Sequence, residues 1–343
     1  MFRSGRSIGL WLIAVLFIAS THRPATSQEA PETSQTRCTG KNLLDKLSAT
    51  DPALHARIVE NANALENGQA IFWKLERPGS PPSYLFGTVH LTDNRIKRLR
   101  DTTKNAIRAS KTLLIENANL SPEATGRAYV AAAESAVFTD GRTLDSLLSK
   151  EEFDQVRKSA GESVPADALR LYRPWIVSLM IAASDCERRR VQSGYRVLDM
   201  ALAERAQVNG IPVGGLETTE DQLTALASIP DDEQLGILRA NIALIDENEN
   251  LRETMVQLYL RRRIGALWDL QLALAEKAGV PASAYASFQK TLIVDRNRKM
   301  REAALPHLEK GGAFIAVGAL HLPGKTGLVE LFREAGYTAT AIE

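Results

Sequence analysis

Two short stretches of the 343-residue chain repeat one pattern. Tyr84-Leu85-Phe86-Gly87-Thr88-Val89-His90-Leu91 and Ile315-Ala316-Val317-Gly318-Ala319-Leu320-His321-Leu322 each read as three apolar residues, Gly, two residues, His and Leu. A single Gly-x-x-His arises by chance in many proteins. Two copies, each where an apolar strand runs out, hold two of only five histidines. Two acids take equivalent places: Glu116 ends Thr112-Leu113-Leu114-Ile115, and Glu217 ends Pro212-Val213-Gly214-Gly215-Leu216. Four expected strands thus each finish on a group able to bind a cation or move a proton. Two imidazoles with carboxylates suit Mn, Co, Fe or Zn, with a position left for water. A cation there would bring that water's pKa toward neutrality, ready to attack a carbonyl. The blander alternative is a strand-end histidine that only caps, and a glutamate that only meets a helix N-terminus. His55 and His307 fall on helical patterns and read as surface or structural groups.

The elements around these residues follow from periodicity. Residues 41–64 read as helix, Ile71 to Leu75 as a strand, and Tyr84 to Val89 as its hairpin partner across Pro78-Gly79-Ser80-Pro81-Pro82-Ser83. Arg95 to Ser110 reads as helix and Thr112 to Ile115 as a buried strand. From about 121 to 209 the pattern is helical, then Ile211 to Leu216 reads as a strand. A long helical region runs to Leu305, broken near Gly279-Val280-Pro281. Strand Ala313 to Ala319, helix Thr326 to Ala335 and strand Tyr337 to Ile342 close the chain. Strands at both ends with helices between indicate a mixed α/β (α+β) fold: one central, mostly parallel sheet, flanking helices, and a large helical insertion at about 121–209. In an open sheet of this kind, ligands bind outside the carboxyl ends of the strands.

Arg3 and Arg6, the apolar run Ile8 to Ala19, and Ala25 and Ser27 spaced for cleavage give residues 1–27 the layout of a secretory signal peptide. The run is shorter than the about 20 residues that span a bilayer. Residues 28–37 then read as a flexible linker and 38–343 as one domain, periplasmic or secreted, with no membrane span in the mature form. In an oxidising compartment, Cys38 and Cys186 are expected to pair. With 42 Lys+Arg against 41 Asp+Glu, there is no basic excess of the kind nucleic-acid binders carry. Other motifs fail. Five residues separate Gly318 from Gly324 where a phosphate loop needs four, and Pro323 removes a donor. There is no His-Glu-x-x-His and no Gly-x-Ser-x-Gly. Arg188-Arg189-Arg190 and Arg261-Arg262-Arg263 read as solvated helix faces, and Trp175, Tyr259 and Trp268 as core or groove walls.

Four segments together, Tyr84 to Asp93, Gly215-Leu216-Glu217-Thr218 with Gln222, Arg296-Asn297 with Met300, and Val317 to Gly327, resemble the TraB/GumN family, related to the Tiki proteins. The resemblance runs from about Cys38 to the C-terminus. It implies the α/β fold of Tiki-like and erythromycin-esterase-like hydrolases, and a metal-dependent protease site built on the paired Gly-x-x-His motifs. By position, His90 and His321 inherit the metal or catalytic role, Glu116 is the acid after the next strand, and Glu217 and Arg296 match recurrent family positions. The expected site takes His90, His321 and Glu116 as metal ligands and Glu116, Glu217 and Arg296 as catalytic groups, a carboxylate completing the sphere or acting as general base toward metal-bound water. Arg296 would steady developing negative charge or hold a substrate carboxylate, or else simply pair with Glu217. The expected function is an exported metal-dependent hydrolase acting on a peptide or other carbonyl substrate. The alternative is a non-catalytic envelope or polysaccharide-production accessory that uses the same cleft for binding.

Overall fold

A computed structural model describes residues 36–118, 122–161 and 164–342. The expected signal segment and most of the linker lie outside the described residues. Six strands form one sheet: β1 (Phe72–Glu76), β2 (Ser83–Thr88), β3 (Thr112–Ile115), β4 (Val213–Gly215), β5 (Ala313–Gly318) and β6 (Thr338–Ala341), in the order β4-β3-β5-β2-β1-β6. β1 pairs antiparallel with β2, Phe72 opposite Phe86, and β6 lies antiparallel on its other side. Between the hairpin strands Gly79 takes a positive φ of 82°, which L side chains rarely adopt. β4, β3, β5 and β2 are all mutually parallel, so their carboxyl ends share one edge.

Both faces of the sheet are covered, which is why its strands read as nearly unbroken apolar runs. Along β5 the side chains alternate. Phe314 and Ala316 join Phe72, Phe86 and Leu113 on one face, under helices Leu198–Val208 and Asn248–Leu260. Ile315 and Val317 join Leu85 and Leu114 on the other, under helices Arg296–Lys310 and Leu328–Glu334. Burial of each large side chain contributes about 1.5–3 kcal/mol. The helical insertion has a separate core of Leu144, Val156, Leu169, Val177 and Ile181. That core also takes in Leu223, Leu238 and Leu292, so the insertion packs against helices well beyond position 209. Among the described residues, no helix is long and apolar enough to cross a membrane.

Cys38 and Cys186 form a disulfide, 148 positions apart with Cα atoms 5.5 Å from one another. Two expectations need correction. The helix expected from Arg95 begins at Asp101, because Asp93 accepts the Arg95 backbone N–H at 2.8 Å and turns the chain first. Arg190 does not face solvent. It is 1% exposed, donates to the Thr92 hydroxyl and to the carbonyls of Thr92 and Thr36, and lies 4.2 Å from the Tyr195 ring centroid. Trp175 and Tyr259 are buried in the core, and Trp268 stacks on Phe288.

Candidate active site

The four strand-end residues meet at the shared carboxyl edge. His90 follows β2, His321 closes the short helical turn Ala319–His321 after β5, Glu116 follows β3 and Glu217 follows β4. His90 Nε2 lies 4.0 Å from Glu116 Oε1, and His321 Nε2 lies 3.7 Å from the same oxygen. The rings are therefore closer than the roughly 10 Å beyond which one ion could not touch both.

The two motif glycines do different work. A Cβ at Gly87 would stand 2.9 Å from Ala319 Cβ and 3.1 Å from Leu322 Cδ2. The bare backbone there lets the His321 turn pack against β2. A Cβ at Gly318 would stand 3.1 Å from Glu116 Oε1, 3.4 Å from His321 Cδ2 and 3.9 Å from His90 Nε2. That glycine keeps open the space between the functional groups, and its N–H donates to Glu116 Oε1 at 2.6 Å.

Each imidazole is held from behind. Asp199, at the start of helix Leu198–Val208, accepts from His90 Nδ1 at 2.9 Å on Oδ2. Its Oδ1 accepts from the Thr88 hydroxyl. Asn297 Nδ2 donates to the Thr326 carbonyl at 2.8 Å, which orients its Oδ1 to accept from His321 Nδ1 at 2.7 Å. Both rings thus carry hydrogen on Nδ1 and turn Nε2 toward Glu116. A π-helical turn at Lys290–Asp295 leads directly into Arg296 and Asn297 and brings both side chains to the sheet edge.

Arg296 does more than pair with Glu217. Its Nε donates to Glu217 at 3.0 Å, its Nη2 bridges Glu116 Oε2 and Glu217 Oε2 at 2.7 Å each, and its Nη1 reaches the Leu292 carbonyl. Gln222 adds a weaker contact to Glu116 Oε2 at 3.4 Å, and its own carbonyl oxygen is buried without a hydrogen-bond partner. Burial opposes ionisation of Glu116, but Arg296 and then the histidines outweigh it and hold this carboxyl well below the usual range. The charge of Asp199 raises His90 to about 9, against desolvation. Burial drives His321 down to about 3 although Glu116 pulls the other way. Asp199 was not legible in the sequence, since it lies 109 positions from His90 on an ordinary helix and belongs to no motif.

The site opens on one side. The His90 side chain is 39% exposed, against 5% for His321, 7% for Glu116 and 2% for Glu217. The chemistry of this donor set, two imidazoles and a carboxylate, suits a divalent cation. Two Nε2 atoms and a carboxylate oxygen converge; with Asp199, Glu116, Glu217, Arg296 and a protonated His90 the site carries one net negative charge, and two once a cation displaces the His90 proton. The nitrogen–oxygen separations exceed the about 3.3 Å between ligands on one tetrahedral ion, so seating a cation requires the side chains to draw in. The tighter grouping of Cys38, Cys186 and Glu249 is a disulfide beside a carboxylate, and its sulfurs are bonded to each other.

The model of the TraB/PrgY/gumN family matches residues 71–341. "Uncharacterized protein YbaP" of Shigella flexneri is 23% identical over 257 residues, 75% of this chain and 89% of that protein. "Metalloprotease TIKI2" of Danio rerio is 22% identical over 341 residues, 84% of this chain and 64% of that protein. Its Xenopus tropicalis counterpart is 22% identical over 322 residues, 79% of this chain and 60% of that protein. No solved structure gives a significant match.

Proposed function

The chain belongs to the TraB/PrgY/gumN family, and from that premise we propose that it is an exported, metal-dependent hydrolase acting on a peptide or another carbonyl substrate. The observation that carries this reading is the convergence of His90 Nε2 and His321 Nε2 on Glu116 Oε1. The relative named a metalloprotease supports the peptide class. The disulfide supports an oxidising compartment outside the cytoplasm.

His90, His321 and Glu116 would hold the cation. Once bound, a divalent ion supplies a water of near-neutral pKa and polarises a carbonyl. The protein's own groups divide the remaining work. Gly318 leaves room beside the three ligand atoms for a water or a substrate oxygen. Arg296 keeps Glu116 ionised and therefore a ligand rather than a strong base. Glu217, with both oxygens on Arg296 and 2% exposure, supports Arg296 rather than meeting substrate. Substrate must enter past His90, the exposed member.

The test is a peptide-library screen of the purified mature chain with Zn2+, Mn2+, Co2+ or chelator, alongside His90→Ala. Metal-dependent cleavage lost in the variant is expected. Cleavage that survives both chelation and His90→Ala would refute the proposal.

A further inference from the structure

The two histidines are supported by chemically different partners, a carboxylate behind His90 and a neutral amide behind His321. Asp199 is 7% exposed, and its two oxygens are shared between His90 Nδ1 and the Thr88 hydroxyl, a residue that is itself 1% exposed. Thr88 ends β2 two positions before His90, so both ends of this relay are anchored on rigid backbone: the strand on one side, helix Leu198–Val208 on the other. His90 needs such support more than His321 does. Its ring is 39% exposed and free to swing unless something holds it, whereas the 5%-exposed ring of His321 is enclosed by packing.

We propose that Asp199 is the positioning residue of the site. It accepts from His90 Nδ1, fixes Nε2 as the atom presented to Glu116, and lends negative charge that makes that nitrogen a better donor to a divalent cation. Thr88 keeps the carboxylate in that orientation, and the pair acts only through His90. The inference rests on the metal-site reading. A carboxylate behind a ligating imidazole raises ligand basicity, and its loss typically weakens metal binding about 10–100-fold. An amide at this position keeps a hydrogen-bond acceptor but removes the charge. It can also turn its NH2 toward the ring and select the wrong tautomer.

The experiment is calorimetric titration of the full mature chain with Zn2+, comparing wild type with Asp199→Asn, Asp199→Ala and Thr88→Val. Long-range 1H–15N spectra of the His90 ring in the metal-free proteins accompany it. Zn2+ affinity should fall about 10–100-fold in Asp199→Asn and at least as far in Asp199→Ala. Thr88→Val, nearly isosteric, should lose less, and serves should the Asp199 variants fail to fold. The His90 Nδ1–H signal should be fixed in wild type and lost or exchange-broadened in Asp199→Ala. Wild-type affinity in a folded Asp199→Asn and Asp199→Ala would overturn the proposal. If wild type itself takes no Zn2+, the metal reading fails separately and the ring spectra decide: an Nδ1–H unchanged by Asp199→Ala overturns the positioning role, and its loss upholds it.

Discussion

Removing Arg296 should expose how much of the site is held together by one guanidinium. Arg296 is within 2.7 Å of both Glu116 and Glu217, whose side chains are 7% and 2% exposed. Arg296→Met keeps most of the buried stem but leaves two carboxylates uncompensated. Breaking a buried pair by deleting one partner costs about 3–5 kcal/mol, because the remaining charge stays desolvated. The loss should fall in that range and lower the melting temperature by about 5–8 °C for a chain of this length. The assay is urea unfolding followed by circular dichroism at pH 7 in chelated buffer. Glu217→Gln supplies the control. In wild type it should destabilise, since Arg296 loses a partner. In the Arg296→Met background it should stabilise, since one uncompensated charge disappears. That reversal of sign is the signature of a shared buried network. A loss under about 1 kcal/mol for Arg296→Met, or the same effect of Glu217→Gln in both backgrounds, would refute the reasoning.

Gly318 has φ −50°, open to any L residue, so Gly318→Ala should fold with a loss of at most about 1 kcal/mol yet bind less Zn2+ as its methyl enters the site. Gly87→Ala should cost about 1–3 kcal/mol as well, because its Cβ collides with the backbone of the His321 turn; chemical denaturation and calorimetry on both variants separate the two effects. Protein isolated without reductant should show no alkylation at Cys38 or Cys186 by intact mass, and Cys38→Ser with Cys186→Ser should lose about 2–5 kcal/mol. Burial disfavours the Asp93 anion, but hydrogen bonds from Arg95 and Arg252 prevail and hold its carboxyl far below the usual aspartate range. Its contribution to stability is therefore complete above the ordinary aspartate pKa of about 3.9 and lost as pH falls below it. Asp93→Asn should flatten the acid limb of a stability-versus-pH curve, and an unchanged limb would contradict this.

The sheet was legible because its strands are buried on both faces and end in chemically distinctive residues. The hairpin from β1 to β2 announced itself through Pro78-Gly79, and the placement of Glu116 and Glu217 followed from strand ends alone. What stayed hidden depended on partners distant in sequence. Arg190 looks like one member of a basic run, yet it is buried because the loop after His90 and the segment at Thr36 both turn their carbonyls to it. Arg95 looks helical, yet its side chain is drawn to Asp93 and Glu253 before the helix starts. Asp199 carries no local signal, because its importance comes from the ring it faces rather than from its neighbours. The double pairing of Arg296 was half legible. The sequence suggested Glu217 as partner, but only the parallel adjacency of β3 and β4 brings Glu116 to the same guanidinium.

The most direct measurement is bound metal in the purified mature protein after equilibration with Zn2+ or Mn2+ and desalting, for wild type, His90→Ala and His321→Ala. About one equivalent is expected in wild type, from a single site with three protein ligands, and none in either variant, with cooperative thermal unfolding retained in all three. Equal metal content in wild type and both variants would contradict a shared site at His90, His321 and Glu116.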